Sequence, residues 1–517
     1  MSDRPNVLFI MTDQQRFDTI AGLGNEHIYT PNFDRLARRG IAFTNAYSTC
    51  PVCVPARYTI RTGCEPPTLR IFSNRRSEPV EGQAATMEGR CGDYLARTMH
   101  KLGYRTFGIG KFHTQPWDED LGYEVHLHSE ELYGSTEQRR RDGFAGWLER
   151  EHPEFGFVET LMGERTEMYY MPQASPLPAE FTVERWAADR AVEQLAVEDE
   201  RPFFGFVSFI GPHPPFAPPV PFNRMYDPDR MPKPLVGDIE TDHMDEFLPN
   251  HNYLIWSDDI SDGRAQVLKA RYYGEISYID DCLGRILDAV DGLPDGDNTL
   301  ICFFADHGDH MGDHHCWQKE SFFEQATHVP FLVSWPNQIG VDQVREELVC
   351  LTDLFGIATR AAGAPEMRDG ADVLGAVAGE VAPRPFVAGL YGEPGTIHFK
   401  VMIRDSGSDG PEAWKYIYLA NGGREQLFDM RGDPHELSNL AGQRPEVVRM
   451  LRTTAVSVCD VPGARDALDP ERRDLKAFEF TRLPRRRIYQ FDRSRGVSGF
   501  PDRPEDALKA YRSRQQD

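Results

Sequence analysis

Five short stretches of the 517-residue chain carry residue types suited to chemistry on an anion. The densest is Cys53-Val54-Pro55-Ala56-Arg57, preceded by Thr49-Cys50-Pro51-Val52 and followed by Thr62-Gly63. Pro55 suits the first turn of a helix, where a missing N–H costs nothing, and Gly63 suits the stop. Cys53 is then expected just before a helix N-terminus. Unpaired N–H groups and the positive end of the helix dipole there favour a thiolate, an alkoxide or a bound anion. Arg57 lies one turn further on. The other stretches are Asp13-Gln14, Gly110-Lys111-Phe112-His113, Pro212-His213-Pro214 and Asp306-His307. A histidine between prolines is rigidly placed and outside regular structure. Plainer readings stand beside these: Cys53 as a buried structural thiol, Lys111 as a solvated lysine, Cys50 and Cys53 as a redox pair. The Pro-x-Arg after Cys53 weighs against the redox pair.

Elements must position these groups. Val7–Met11, Tyr104–Ile109, Pro202–Phe209 and Thr299–Phe304 read as buried strands. Asp13, Lys111, His213 and Asp306 stand shortly after their carboxyl ends, where functional groups gather in open α/β sheets. Thr30 reads as the cap of a helix that starts at Pro31 and stops at Gly40. Met87–Leu102 reads as one helix ended by Gly103, and Thr182–Val197 as another. Arg264–Val290 reads as one long amphipathic helix, with Tyr273, Ile276, Ile279, Leu283, Ile286, Leu287 and Val290 at helical spacing.

The expected fold class is therefore α/β, a large mostly parallel sheet flanked by helices with a smaller C-terminal α+β subdomain. Residues 1–384 form the catalytic domain, with insertions at about 117–178 and 217–262. The first insertion reads as irregular, acidic and aromatic, lying over the site with His126, His128, Tyr169 and Tyr170. Residues 385–460 form the small antiparallel subdomain, with strands Thr396–Ile403, Lys415–Leu419 and Glu425–Asp429. Residues 461–517 form a tail with Arg482, Arg485, Arg486 and Arg487, read either as an arm in a homo-oligomer or as a wrap on its own domain.

Hydrophobic content of 40%, charged content of 27% and aromatic content of 11% are ordinary for a soluble globular protein. A net charge of −24 argues against nucleic acid or an anionic membrane as partner. An anionic substrate must then be gathered by local cations. The opening run Asn6-Val7-Leu8-Phe9-Ile10-Met11 is too short for a signal sequence or a membrane span, so a cytoplasmic protein is expected. Nine scattered cysteines do not read as a disulfide framework.

Together these stretches resemble the type I, formylglycine-dependent sulfatases of the alkaline-phosphatase-like superfamily. The resemblance is carried by Cys53-x-Pro55-x-Arg57 with Thr62-Gly63, and by Thr30-Pro31-Asn32-x-Asp34-x-Leu36-Ala37 through Phe43, Asn45 and Tyr47. Gly110-Lys111-Phe112-His113, Pro212-His213 and Tyr272–Asp281 add to it, as does Glu425-Gln426-Leu427-Phe428-Asp429 running on to Asn439-Leu440. It implies that a formylglycine-generating maturation enzyme oxidises Cys53 to formylglycine. The hydrate of that aldehyde attacks sulfur and forms a covalent sulfo-enzyme intermediate. Asp13, Gln14, Asp306 and His307 are implied to hold one divalent metal ion (Ca2+, Mn2+ or Mg2+), the imidazole favouring Mn2+ or Mg2+. Arg57 is implied to stabilise the nucleophile, Lys111 to contact the sulfate, His113 to act as base on the modified residue, and either His213 or Lys319 to protonate the leaving group.

Many sulfatases have a second aspartate at the Gln14 position and asparagine at the His307 position. The Asp-Gln and Asp-His pairs here resemble choline sulfatases and phosphonate monoester hydrolases. So do Lys319, thirteen residues after Asp306, and Asn74, twenty-one after Cys53. The substrate-binding set is thus Asn74, Lys111, His213 and Lys319, acting on a small anionic sulfate ester. The main rival is a phosphonate monoester or phosphodiester hydrolase with the same site, since a phosphoryl group makes the same demands. The Gly-Lys-x-His element, which those hydrolases lack, favours sulfate. A catalytically silent anion-binding homologue is the third reading, and no catalytic position is lost to support it.

Overall fold

A computed structural model describes residues 4–130, 135–155, 172, 174–237, 260–407 and 410–481. Its main sheet has eight strands in the order β4-β3-β5-β1-β6-β7-β2-β8. These are β1 (Asn6–Thr12), β2 (Ile41–Tyr47), β3 (Arg105–Gly110), β4 (Val125–His128), β5 (Phe203–Ser208), β6 (Thr299–Ala305), β7 (Phe331–Ser334) and β8 (Gln343–Cys350). β7 runs antiparallel to both its neighbours, and every other pairing is parallel. The central strands β1, β5 and β6 are apolar along nearly their whole length. That composition is what a sheet covered on both faces requires.

The alternation of side chains divides the core in two. Leu8 and Ile10 of β1 join one cluster; Val7, Phe9 and Met11 join the other. The first face is covered by α1 (Pro31–Arg38), α3 (Val183–Leu195) and α4 (Asp262–Asp291), and the second by α2 (Cys53–Thr62) and α5 (Asp353–Ala361). In α4, Ile276, Ile279, Leu283, Ile286, Leu287 and Val290 are all fully buried. A second sheet in the order β12-β11-β10-β9 is antiparallel, made of β9 (Phe386–Tyr391), β10 (Lys400–Asp405), β11 (Trp414–Leu419) and β12 (Arg424–Asp429). Helix α6 (Pro445–Cys459) packs on it through Val448, Leu451 and Ala455.

Three local expectations are corrected. Thr30 does precede α1, but its hydroxyl takes the Ala21 N–H at 2.8 Å and does not cap the helix. The stretch 87–102 is two short helices, Met87–Cys91 and Leu95–Lys101, because Gly92 at φ 80 breaks the path between them. The described part of the first insertion holds regular elements. Val125–His128 extends the main sheet by pairing with Phe107–Gly110, and Thr136–Arg141 and Gly143–Glu151 are helices. Tyr169, Tyr170, Arg482, Arg485, Arg486 and Arg487 lie outside the described residues, as does 238–259 of the second insertion. Among the described residues, no helix is long and apolar enough to cross a membrane.

Candidate active site

β1 stops at Thr12 and delivers Asp13, fully buried, with its N–H on the Gly211 carbonyl at 3.2 Å. Gln14 follows in the left-handed region at φ 67. Its N–H donates to Asp306 Oδ1 at 3.1 Å, and the His307 N–H donates to the same oxygen at 3.0 Å. The carboxyl ends of the two adjacent strands β1 and β6 are thus tied by one carboxylate. α2 begins at Cys53 itself, one residue earlier than the sequence suggests, because Val52 is extended and serves as the N-cap. Gly63 ends that helix at φ 67.

Arg57 occupies the centre of the arrangement and is 2% exposed. Its Nη2 lies 2.8 Å from Asp13 Oδ2 and its Nε 3.0 Å from Asp306 Oδ2. Nη1 donates to Ser208 Oγ at 3.0 Å and to the Lys111 carbonyl. One planar fork thereby reads the ends of β1, β3, β5 and β6, a task that suits Arg and not Lys. Lys111 follows β3, donates its N–H to the Ser208 carbonyl at 3.1 Å, and places Nζ 2.6 Å from Asp13 Oδ2. His113 has φ 51, and its N–H donates to Glu130. His213 is buried just beyond β5, with Nδ1 2.8 Å from the Pro214 carbonyl. Lys319 donates to Gln14 Oε1, while Gln14 Nε2 donates to Asp309. Asn74 Oδ1 accepts the Val54 N–H at 3.0 Å, at the start of α2.

Charge settles unevenly here. Burial opposes ionisation of Asp13, but Lys111, His213 and Arg57 hold its carboxyl well below the usual range. Burial and the charge of Asp13 push Asp306 up to about 7. Burial, then Asp13, push the Cys53 thiol up as well. A protonated thiol is a poor nucleophile. Burial and Lys319 lower His307, so its imidazole is neutral. With Nδ1 donating to the Gly308 carbonyl at 3.0 Å, Nε2 presents a lone pair.

His307 Nε2 lies 3.7 Å from Asp13 Oδ1, 3.6 Å from Asp306 Oδ1 and 3.2 Å from Cys53 Sγ. Asp13, Cys53, Asp306 and His307 each bring one ligand atom within 4.8 Å of the others. Electron-rich atoms crowded this closely inside a protein fit a cation between them. Two carboxylates and an imidazole suit a hard divalent ion. Gln14 stands beside this group with its amide oxygen turned to Lys319.

The Sulfatase family model matches residues 5–364. The chain belongs to the sulfatase family. By that membership it is a sulfuric ester hydrolase of the alkaline-phosphatase-like superfamily. An arylsulfatase of Clostridium perfringens is 27% identical over 502 residues, covering 93% of this chain and 99% of that protein. A choline-sulfatase of Rhizobium meliloti is 28% identical over 465 residues, covering 85% of this chain and 82% of that one. The solved phosphonate monoester hydrolase of Agrobacterium radiobacter superposes with a TM-score of 0.73 at 26% identity, over 88% of this chain and 95% of its own.

Around this sulfatase site stand three residues that sequence reasoning passed over. Ser208 ends β5 and holds Arg57. Asp309 is fully buried and holds Gln14. It sits in the same run as Asp306 and His307, and that position was the signal. Glu130 holds the loop after β3, and nothing in its flanking residues marks it.

Proposed function

We propose that this sulfatase hydrolyses a small sulfate ester, with a formylglycine made from Cys53 as nucleophile and one divalent cation held by Asp13, Asp306 and His307, with Gln14 alongside. The observation that carries the reading is the seat of Cys53. It is 1% exposed, begins α2, and points its sulfur at His307 and Asp13 inside the acceptor cluster. A protonated, buried thiol there has little use as such. When present, the metal supplies Lewis-acid charge neutralisation and the formylglycine supplies the attacking oxygen.

The chain's own residues do the rest. Arg57 locks Asp13 and Asp306 and brings a permanent positive charge beside position 53. Lys111 and Lys319 flank the site from two sides and carry the negative charge of the sulfuryl oxygens, the electrostatic term that usually dominates. Asn74 fixes the first turn of α2. His213, its ring oriented by Pro214, hands a proton to the leaving oxygen, and His113 takes one during release. Maturation by a formylglycine-generating enzyme is part of this reading, as is a small anionic substrate.

A second reading is favoured by the structural likeness to the Agrobacterium radiobacter phosphonate monoester hydrolase. In it the same site cleaves a phosphonate monoester or phosphodiester. The family match and the arylsulfatase and choline-sulfatase relatives support sulfate as the first reading. The mass of the peptide containing Cys53, from protein made in its native host, tests the nucleophile: aldehyde or hydrate is expected, and a plain thiol in active protein overturns it. Comparing kcat/KM on an aryl sulfate and an aryl phosphodiester decides the substrate, and a large preference for the diester reverses the order.

A further inference from the structure

The loop Gly110-Lys111-Phe112-His113 is held from two sides. From the sheet side, the Lys111 N–H donates to Ser208 and its carbonyl accepts from Arg57. The Phe112 carbonyl accepts from Arg61. From the far side Glu130 holds it. Glu130 Oε1 accepts the Phe112 N–H at 3.1 Å, accepts the His113 N–H, and lies 2.7 Å from His128 Nε2. The residue is 4% exposed. Burial opposes its ionisation, but His128, His113 and Lys111 hold it far below the usual carboxylate range.

We infer that Glu130, at the end of the added edge strand β4, is the positioning residue for Lys111 and His113. The inference rests on the catalytic reading of those two residues given above. Three observations support it. His113 sits at φ 51, a conformation that costs a non-glycine residue energy and persists only where its surroundings impose it. Two successive N–H groups converge on one buried, charged oxygen, which is a strong and directional hold. Glu130 is itself held: its N–H donates to Asp142 Oδ2 at 2.7 Å, and Asp142 Oδ1 caps the helix Gly143–Glu151 at Ala145. His128 is braced by the Trp117 ring, stacked at 4.9 Å, and by His126 at 5.3 Å. The first insertion thereby acts from beneath the catalytic loop.

The test compares Glu130→Ala, Glu130→Gln and wild type on an aryl sulfate and an aryl phosphodiester, with melting temperature and amide hydrogen exchange of the 110–116 peptide. A displaced reacting group costs about 100-fold. That loss is expected in kcat for Glu130→Ala, with KM within about threefold. Glu130→Gln keeps an accepting oxygen and is expected to recover about tenfold of it. Exchange in 110–116 is expected to rise in Glu130→Ala while other peptides stay as in wild type. Wild-type kcat in Glu130→Ala, equal losses in both variants that follow the melting temperature, or unchanged exchange in 110–116 would each overturn the inference. A wild-type protein that cleaves neither ester removes the catalytic reading instead, and the exchange data then judge the positioning alone.

Discussion

Arg57 is the residue on which the site depends most. Its fork joins Asp13 to Asp306, so removing it leaves Asp306 without its guanidinium partner and Asp13 with Lys111 alone. Arg57→Ala is expected to lower stability by about 3–5 kcal/mol and abolish turnover. Arg57→Lys keeps the charge but cannot reach both carboxylates, so it should fold yet lose most of kcat. Urea unfolding and steady-state kinetics on the two variants check both statements. At this scale the sequence was informative where residue type and spacing coincide. Cys53 with Pro55 and Arg57, and Asp306 with His307, were readable because so few arrangements need them. Glu130 and Ser208 were not, because a lone carboxylate or hydroxyl acquires a role only from backbone groups brought to it by the fold.

Elements set where those residues stand. α2 carries Cys53 at one end and Gly63 at the other, and a Cβ on Gly63 would lie 2.7 Å from Phe355 Cβ. Gly63→Ala combines that clash with a left-handed backbone, and should cost about 1–3 kcal/mol, read as a lower urea midpoint. The junction of the two sheets is apolar, with Tyr47, Leu348 and Cys350 against Val387, Met402 and Ile417, and a buried ionic group lies beside it. Buried Lys415 lies 2.7 Å from Glu324 and 2.8 Å from Glu436. One lysine cannot neutralise two carboxylates. Burial opposes ionisation of Glu324, but Lys415 and His328 hold it low. Burial pushes Glu436 from 4.5 to about 7 despite Lys415. The folded state thus keeps the Glu436 proton more tightly than the unfolded chain. Its stabilisation is complete below about 4.5 and disappears as pH rises through about 7. Glu436→Gln should therefore gain about 1–3 kcal/mol over wild type at pH 8 and flatten the melting-temperature curve between pH 5 and pH 8. The strands β1, β3, β5 and β6 and the long helix α4 were readable from apolar runs and helical spacing. β4 was not: Val125-His126-Leu127-His128 is short, half polar, and becomes a strand only by pairing with β3.

For the whole molecule, the charge of −24 opposes an approaching anion even though Arg57, Lys111 and Lys319 stand in the site. Raising ionic strength from ~10 to ~150 mM shortens the screening length from about 30 to about 8 Å. For an anionic aryl ester, kcat/KM should then rise by roughly twofold. A steady fall would show that Arg57, Lys111 and Lys319 already govern the long-range field. The two-sheet plan was legible from the change of pattern near Pro385, whereas the buried ionic group beside the junction was not, since Lys415, Glu324 and Glu436 look like surface residues until they meet. The strand order has a consequence for synthesis. β1 is made first yet lies between β5 and β6, and β6 starts only at Thr299. At ~5–20 residues per second, the apolar run Val7–Met11 must wait about 15–60 s on the ribosome for its second neighbour. Until then one edge of the apolar strand β1 stays unpaired, and Val7–Met11 is an aggregation hazard during synthesis.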